Sequence, residues 1–544
     1  MDVKSGGKLN NFGTNAVKEH HSTVKRKNIS FLRSNGPHFR LLIGAAVLAT
    51  SLCASSNYAQ TTSATQNLPT LGDTSREDLS PLAERKLGEQ IMNLVRRDPD
   101  YIDDGPVSEY LNRLGNQLLD AHPDARGEAA YNFEFFAVRD PVLNAFAFPG
   151  GFIGLHTALI LTAQTESELA SVIGHEIGHV AQRHIARALT SQKYDSYIPL
   201  VALALAVLAA RSSPDAAIAV ASGGQGLAIQ KQLNFSRDAE READRIGFQI
   251  LQDGGFDPNG MVTFFGRLQA STRNYTDNAP EFLRSHPLTS ERIADIQARA
   301  QGLRYKQRAD GLEFYLMKSR VRVLQDPTVQ GLIDAKQVFE MQLKSEKEED
   351  QIAAKYGLAY VACKQRDFAK ARKLLDQARD QTVRSARQKY LLDLSSTFDS
   401  LSIDILLGSK QFELASIEAK DAIQRLPLSR GLVYQYVEAL LNAKKEETAG
   451  IFLRDQIVLY RQDAKLQNLL AKVYAAQGKQ ALQHIALAEA FAIQNSWTAA
   501  LQQLDLARLE KDAGFYELSV IDANERDWKE NHKQELAEEK KRKQ

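Results

Sequence analysis

The sequence predicts a mixed α+β domain followed by an all-α solenoid of helix pairs, both behind an N-terminal export segment. Three observations predict this. Helical periodicity is interrupted by β-prone segments between residues 131 and 153. Beyond about residue 312 there is no strand signal, and small residues recur 34 positions apart, as at Ala415 and Ala449. The first forty residues are basic and run directly into a short apolar stretch.

The chain has 544 residues, enough for two to four folding units at roughly 150 residues each. Hydrophobic content of 43% and charged content of 25% are ordinary globular values and exclude wholesale disorder or a collagen-like repeat. A formal net charge of +1 gives no global electrostatic case for nucleic acid as a partner. Two cysteines, Cys53 and Cys363, make neither a disulfide framework nor a Cys-rich zinc site.

The elements follow in order. Residues 1–40 hold eight bases against two acids, and the apolar core Leu41–Ala54 follows at once. A basic region, a short apolar region and then small residues describe a secretory signal peptide over 1–59, cleaved after Ser56 or Ala59. The alternative is an uncleaved anchor, although the apolar core is shorter than the ~20 residues a spanning helix needs. A Ser/Thr/Gln/Asn-rich linker covers 60–74. Helical periodicity begins near Leu79 and resumes over Val107–Leu118. Tyr131–Val138 and Asn144–Ile153 read as extended, the second interrupted by Pro149-Gly150-Gly151. From Thr165 a long helix is expected to run into His184 and beyond, with Thr165 and Glu168 in a capping-box arrangement. Ile198–Ala210 is a second apolar run. It is too short to span a bilayer and contains Pro199, so it suits a buried or membrane-apposed helix. Helical pattern returns over Asn234–Leu251 and stops at Gly254-Gly255.

In the C-terminal part Leu453 and Leu487 repeat the 34-residue spacing, and Leu470-Ala471-x-x-Tyr474-x-x-x-Gly478 fits one helix–turn–helix unit. That period with small packing residues is the signature of tetratricopeptide repeats, expected over 312–525, with a generic helical bundle as the alternative. Several copies are degenerate; Gln483 stands where Ala is expected. Residues 526–544 carry mixed charge and read as a solvated helix or tail.

The chemistry centres on His175-Glu176-Ile177-Gly178-His179. Four residues advance a helix by about 40° beyond one turn, so both imidazoles project from one face and can bind one Zn²⁺, with Glu176 beside a water on the ion. A catalytic zinc site takes three protein ligands and keeps a fourth position open. His184 fails as the third. On a continuous helix it points about 140° from His179, and it reads as a polar-face histidine. The better candidates lie in Ser236-Arg237-Asp238-Ala239-Glu240-Arg241-Glu242-Ala243-Asp244, where Glu240 and Asp244 share a helix face. One carboxylate can complete the metal sphere and the other can accept the outer N–H of a ligating histidine. Taken alone this run is a solvated charged face; beside the histidine motif the metal reading is favoured.

Together with the segment Asn144–Ile153, and with Ser285-His286-Pro287 followed by Arg292, these motifs resemble the HtpX-like and CAAX-prenyl-protease family of zinc endopeptidases. The resemblance covers roughly 75–305 and implies an α+β zincin-type metalloprotease domain, mostly helical with a small sheet. It implies His175, His179 and Glu240 as ligands of one Zn²⁺ per chain and Glu176 as general base. Asp244 would be an outer hydrogen-bonding or proton-donating residue. His286 would be a regulatory fourth ligand that holds activity down. Asn144, Ala145 and Phe146 would present an edge strand to an extended substrate, unless the segment is only a hairpin. With the signal and the repeats, the resemblance also implies a periplasmic enzyme acting in outer-membrane β-barrel assembly. Its substrates would be unfolded or stalled outer-membrane proteins and its partner the assembly machinery, with peripheral membrane contact through 198–210 and no nucleic acid. The competing class is a periplasmic chaperone or scaffold whose zinc site is structural or shut by His286. A third reading, a protease embedded in the membrane by 41–54 and 198–210, rests on those apolar runs.

Cleavage would sharpen the charge balance. Residues 1–40 contribute 8 − 2 = +6 and 41–59 nothing, so a chain starting at Gln60 carries 1 − 6 = −5.

Overall fold

The computed structural model describes residues 79–127, 131–190, 237–272, 281–303, 308–385 and 390–543. The expected signal 1–59, linker 60–74 and apolar run 198–210 lie outside those residues. Among the described residues no helix is long and apolar enough to cross a membrane.

Two capped helices open the fold. Helix α1 (Pro81–Val95) starts at Ser80, whose Oγ accepts from Ala83 N at 3.2 Å, with proline in the first turn where its missing N–H costs nothing. Helix α2 (Gly105–Ala121) is capped in the same way by Asp104, which accepts from Val107 N at 3.1 Å. The sheet follows, with β1 (Glu134–Val138), β2 (Ala145–Phe148) and β3 (Phe152–His156) in the order β1-β3-β2. β3 is the central strand, parallel to β1 and antiparallel to β2. The β2–β3 turn needs its glycines: Gly150 and Gly151 have φ of +81° and +92°, and a β-carbon on Gly150 would stand 2.7 Å from Arg85 Cα. The segment is therefore a hairpin and its first strand is also an edge.

The short α3 (Thr157–Thr162) leads to α4 (Glu166–Ala181). Thr165 caps α4 by accepting from Glu168 N, and Glu168 reaches back to Gln164 N at 2.7 Å. The helix does not run on through His184. It ends at Ala181, Arg183 takes a left-handed φ of 50°, and a new helix, α5 (His184–Thr190), begins. On the far side of the undescribed segment, α6 (Arg237–Asp253) packs on α4, followed by α7 (Asn259–Thr272), α8 (Glu281–Ser285) and α9 (Ser290–Gln301). Leu114 and Leu118 of α2, Ile153 and Leu155 of β3, Ile173 and Ile177 of α4, Leu251 of α6 and Phe264 of α7 meet in one buried core.

Helix α10 (Leu312–Gln325) serves two cores. Phe314, Met317 and Val321 point into the first, whereas Leu312, Leu316 and Val323 join the next one with Phe339 and Tyr356. From here the chain is helix upon helix. The helices beginning at Phe412, Glu446 and Gln480 recur at 34-residue intervals, each packed by small residues such as Ala415, Ala449 and Ala481. Each pair turns through one left-handed residue, and Lys410, Lys444 and Gly478 keep the same interval. The helical region meets the first domain through polar contacts. Arg320 is bidentate to Asp104 at 2.7 and 2.8 Å, Ser429 Oγ donates to Glu109 at 2.6 Å, and Asn93 donates to the Gln494 carbonyl at 3.0 Å.

Candidate metal centre

Two helices and one loop build the site. His175 and His179 sit one turn apart on α4, and Glu240 and Asp244 one turn apart on α6. Small residues let the two backbones approach. A β-carbon on Gly174 would lie 3.0 Å from Gly247 O, and one on Gly178 would lie 2.9 Å from Ala243 O. Ala243 and Gly247 share the helix face of Glu240 and Asp244, so the seam that brings the helices together also delivers both carboxylates to the histidines.

The Nε2 atoms of His175 and His179 converge to 3.1 Å. Glu240 lies against both, with Oε1 3.4 Å from His179 Nε2 and Oε2 3.6 Å from His175 Nε2. From the loop before α9, His286 enters the same space, its Nδ1 3.0 Å from Glu240 Oε1 and 3.4 Å from His175 Nε2. One ligand atom from each of these four residues lies within 4.8 Å of the others, and all four side chains are buried. Three imidazole nitrogens and a carboxylate oxygen converging in this way suit a divalent transition metal.

The outer atoms are held as well. His175 Nδ1 is 3.0 Å from Asp244 Oδ1, and Arg292 grips Asp244 through Nε and Nη2 at 2.6 and 2.8 Å. Arg292 also reaches Glu240 Oε2 at 2.7 Å and the Pro287 carbonyl at 2.8 Å, tying both carboxylates to the loop that carries His286. Burial disfavours charge on Asp244, but Arg292 and His175 hold its pKa below the usual carboxylate range. For Glu240 burial is likewise outweighed, by His286, His175 and His179, and its pKa lies well below ordinary. Burial alone would push His175 down; Asp244 and Glu240 bring its pKa up to about 9. Burial dominates at His179 and lowers its pKa well below the usual value.

Glu176 differs from the rest. Both its oxygens are buried and make no hydrogen bond among the described residues, and burial raises its pKa. Its nearest countercharge is His286, whose Nε2 lies 3.7 Å from Oε1, and a buried carboxylate without a hydrogen bond is costly in a finished core and is retained where a ligand or a reacting group supplies the partner. The residues present thus fit a metal centre with an adjacent acid–base group.

His184 is not on a polar face. It is 3% exposed, and its Nδ1 is 2.9 Å from His179 Nδ1. The helix is not continuous here: the left-handed Arg183 turns His184 back toward the motif. Arg183 is neither Gly, Asn nor Pro, so no local signal announces the break. His184 is still no candidate ligand among the described residues, since it faces the outer nitrogen of His179.

β2 packs against α4. Asn144 and Ala145 are buried, and Phe146 is partly covered. His156 N donates to Asn144 O, so the alternation of an antiparallel ladder turns the backbone groups of Ala145 and Ala147 away from β3, toward the open edge. Ala145 is fully buried, which leaves the accessible part of that edge at Ala147.

The profile of peptidase family M48 matches residues 107–300, from α2 to the end of α9. The β-barrel assembly-enhancing protease of Escherichia coli (strain K12) is 31% identical over 466 residues, covering 84% of this chain and 90% of that protein. A Vibrio cholerae protein of the same designation is 37% identical over 313 residues, 57% of this chain, which spans 63% of that relative's length. Metalloprotease LoiP of E. coli is 30% identical over 210 residues, 38% of this chain and 74% of its own length.

Proposed function

Since the chain belongs to peptidase family M48 and is a metalloendopeptidase, we propose that it is an exported zinc enzyme. It cuts peptide bonds in misassembled envelope proteins while its helical repeats dock partners. The observation that carries this reading is the convergence of His175, His179, Glu240 and His286 within 4.8 Å beside the buried carboxylate of Glu176, which makes no hydrogen bond among the described residues.

In this reading His175, His179 and Glu240 would hold one zinc ion per chain, which would supply Lewis acidity to the scissile carbonyl and to the attacking water. Glu176 would take a proton from the attacking water on its buried carboxylate and pass it to the departing amine. Asp244 orients His175 and does not donate a proton, since both its oxygens are engaged by Arg292 and one also faces His175. The extended substrate adds to the outer edge of β2, the strand entered through Asn144, Ala145 and Phe146, and takes its backbone hydrogen bonds from Ala147.

The names of the E. coli and Vibrio relatives support outer-membrane β-barrel assembly as the setting. Substrates would then be stalled or unfolded barrel precursors, the partner the barrel assembly machinery, and the compartment the periplasm. Stacked helix pairs of the tetratricopeptide kind give an extended surface for such partners. The test is Glu176→Gln. It is expected to keep zinc content and the unfolding curve while losing cleavage of an unfolded outer-membrane barrel protein; a fully active variant overturns the assignment.

A second reading is favoured by one observation, the seating of His286 against Glu240 at 3.0 Å. Here His286 takes the fourth position and the protein acts as a latched enzyme or, if the latch never opens, as a chaperone or scaffold.

A further inference from the structure

We propose that His184 is a positioning residue for this metal centre: it accepts the Nδ1–H of His179, passes the chain of hydrogen bonds to Glu242, and so fixes the tautomer in which His179 Nε2 faces the ion. The proposal rests on the reading that His179 binds zinc.

The direction of each hydrogen bond in the chain is forced by the one before it. His179 Nε2 faces the cluster, 3.1 Å from His175 Nε2 and 3.4 Å from Glu240 Oε1. Its other nitrogen, Nδ1, is 2.9 Å from His184 Nδ1. Two imidazole nitrogens at that distance need one N–H and one lone pair. With a metal on Nε2 of neutral His179, the N–H is on Nδ1, so His184 Nδ1 must be the lone pair. The proton of neutral His184 is then on Nε2, which lies 3.0 Å from Glu242 Oε2. Glu242 accepts a further bond from Arg187 Nη2 at 3.1 Å. Each link sets the next.

The arrangement parallels that at the first histidine. His175 Nδ1 meets Asp244, which Arg292 holds; His179 Nδ1 meets His184, then Glu242, which Arg187 holds. In both, the outer nitrogen leads to a carboxylate paired with an arginine, an arrangement that raises ligand basicity and stops the ring from rotating. Arg183 makes the second one possible. Its left-handed backbone begins α5 so that the buried His184 returns to the motif. The relay also ties α4 to α5 and α6, the helices on either side of the segment 191–236.

The test measures zinc affinity of the full chain by competition with a chromogenic chelator, alongside the visible spectrum of the cobalt-substituted protein. His184→Leu removes the acceptor and is expected to weaken zinc binding by roughly 10–100-fold and to shift the cobalt bands. His184→Asn, whose amide oxygen can accept the His179 Nδ1–H, is expected to recover most of that loss. Glu242→Ala changes a side chain one-third exposed, so it should fold normally, and is expected to weaken zinc by an intermediate factor. Wild-type affinity in His184→Leu, or equal weakness in His184→Leu and His184→Asn, overturns the proposal. If His184→Leu does not fold, wild-type affinity in Glu242→Ala overturns it instead. His179→Ala separates the two levels: zinc held at wild-type affinity by that variant means the metal-centre reading has failed, not only the relay.

Discussion

Gly247 of α6 sits directly on Gly174 of α4: a β-carbon at position 247 would stand 2.9 Å from the Gly174 carbonyl oxygen and 2.8 Å from His175 N. Those contacts are to backbone atoms that cannot swing aside, so any larger residue must separate the helices. The carboxylates of Glu240 and Asp244 reach the histidines only because this seam is tight. Gly247→Ala is therefore expected to lower stability by about 1–3 kcal/mol, the usual cost of overpacking. It should also weaken zinc binding at least tenfold, since Glu240 retreats with α6. Urea unfolding and chelator competition check the two effects. Loss of stability at unchanged affinity would detach the seam from the site.

Arg292 is the countercharge for two buried carboxylates. Removing it takes a buried arginine from both Glu240 and Asp244 and leaves them only the neighbouring histidines, and breaking a buried pair in this way costs about 3–5 kcal/mol. Arg292→Ala should therefore unfold at much lower urea, with bound zinc recovering part of the loss because the ion supplies positive charge to Glu240. Arg292→Lys restores charge but not the two-pronged grip on Asp244, and is expected to fall between the two. Equal stability of all three proteins would contradict this role.

His286 makes its shortest contact with the cluster at Glu240 Oε1, 3.0 Å from its Nδ1, and also approaches His175 Nε2 at 3.4 Å. If it blocks the open position, His286→Ala is expected to raise the rate of peptide cleavage on the order of tenfold, the factor equivalent to one net hydrogen bond of about 1–1.5 kcal/mol. Zinc content should stay that of wild type. Unchanged low activity with zinc retained favours the scaffold reading.

The repeats carry a separate, local prediction. Lys410 and Lys444 adopt φ of 62° and 59°, in the turn position that Gly478 fills one repeat later. A side chain there costs roughly 1–2 kcal/mol in backbone sterics, partly offset by the greater freedom glycine has when unfolded. Lys444→Gly is expected to raise stability by about 0.5–1 kcal/mol, read from thermal unfolding. A lower melting temperature would show that the lysine side chain makes contacts outweighing the strain.

Much of the site was legible because it depends on periodicity within single helices. His175 and His179, and Glu240 and Asp244, each lie four residues apart, and that spacing places them on one face whatever the tertiary fold. The small sheet was legible from Tyr131–Val138 and from the glycines after Phe148. Features that depend on one backbone angle or on packing between distant segments were not. His184 was misplaced because a single left-handed arginine breaks the helix. The pairing of Gly174 with Gly247 joins residues 73 positions apart. The grip of Arg292 on Asp244 likewise needs α9 to fold back over α6. Helix α10 reads as the first helix of the repeats, yet half its apolar face belongs to the metalloprotease core.

Everything proposed for the site depends on His175, His179 and Glu240 holding a zinc ion beside Glu176. Anomalous diffraction at the zinc edge, on crystals of the full chain, tests it most directly. One zinc peak is expected between α4 and α6, bonded to His175 Nε2, His179 Nε2 and a Glu240 oxygen, with His286 or water in the fourth position. No peak there from zinc-replete protein, or a zinc ion held by a different set of side chains, would contradict it.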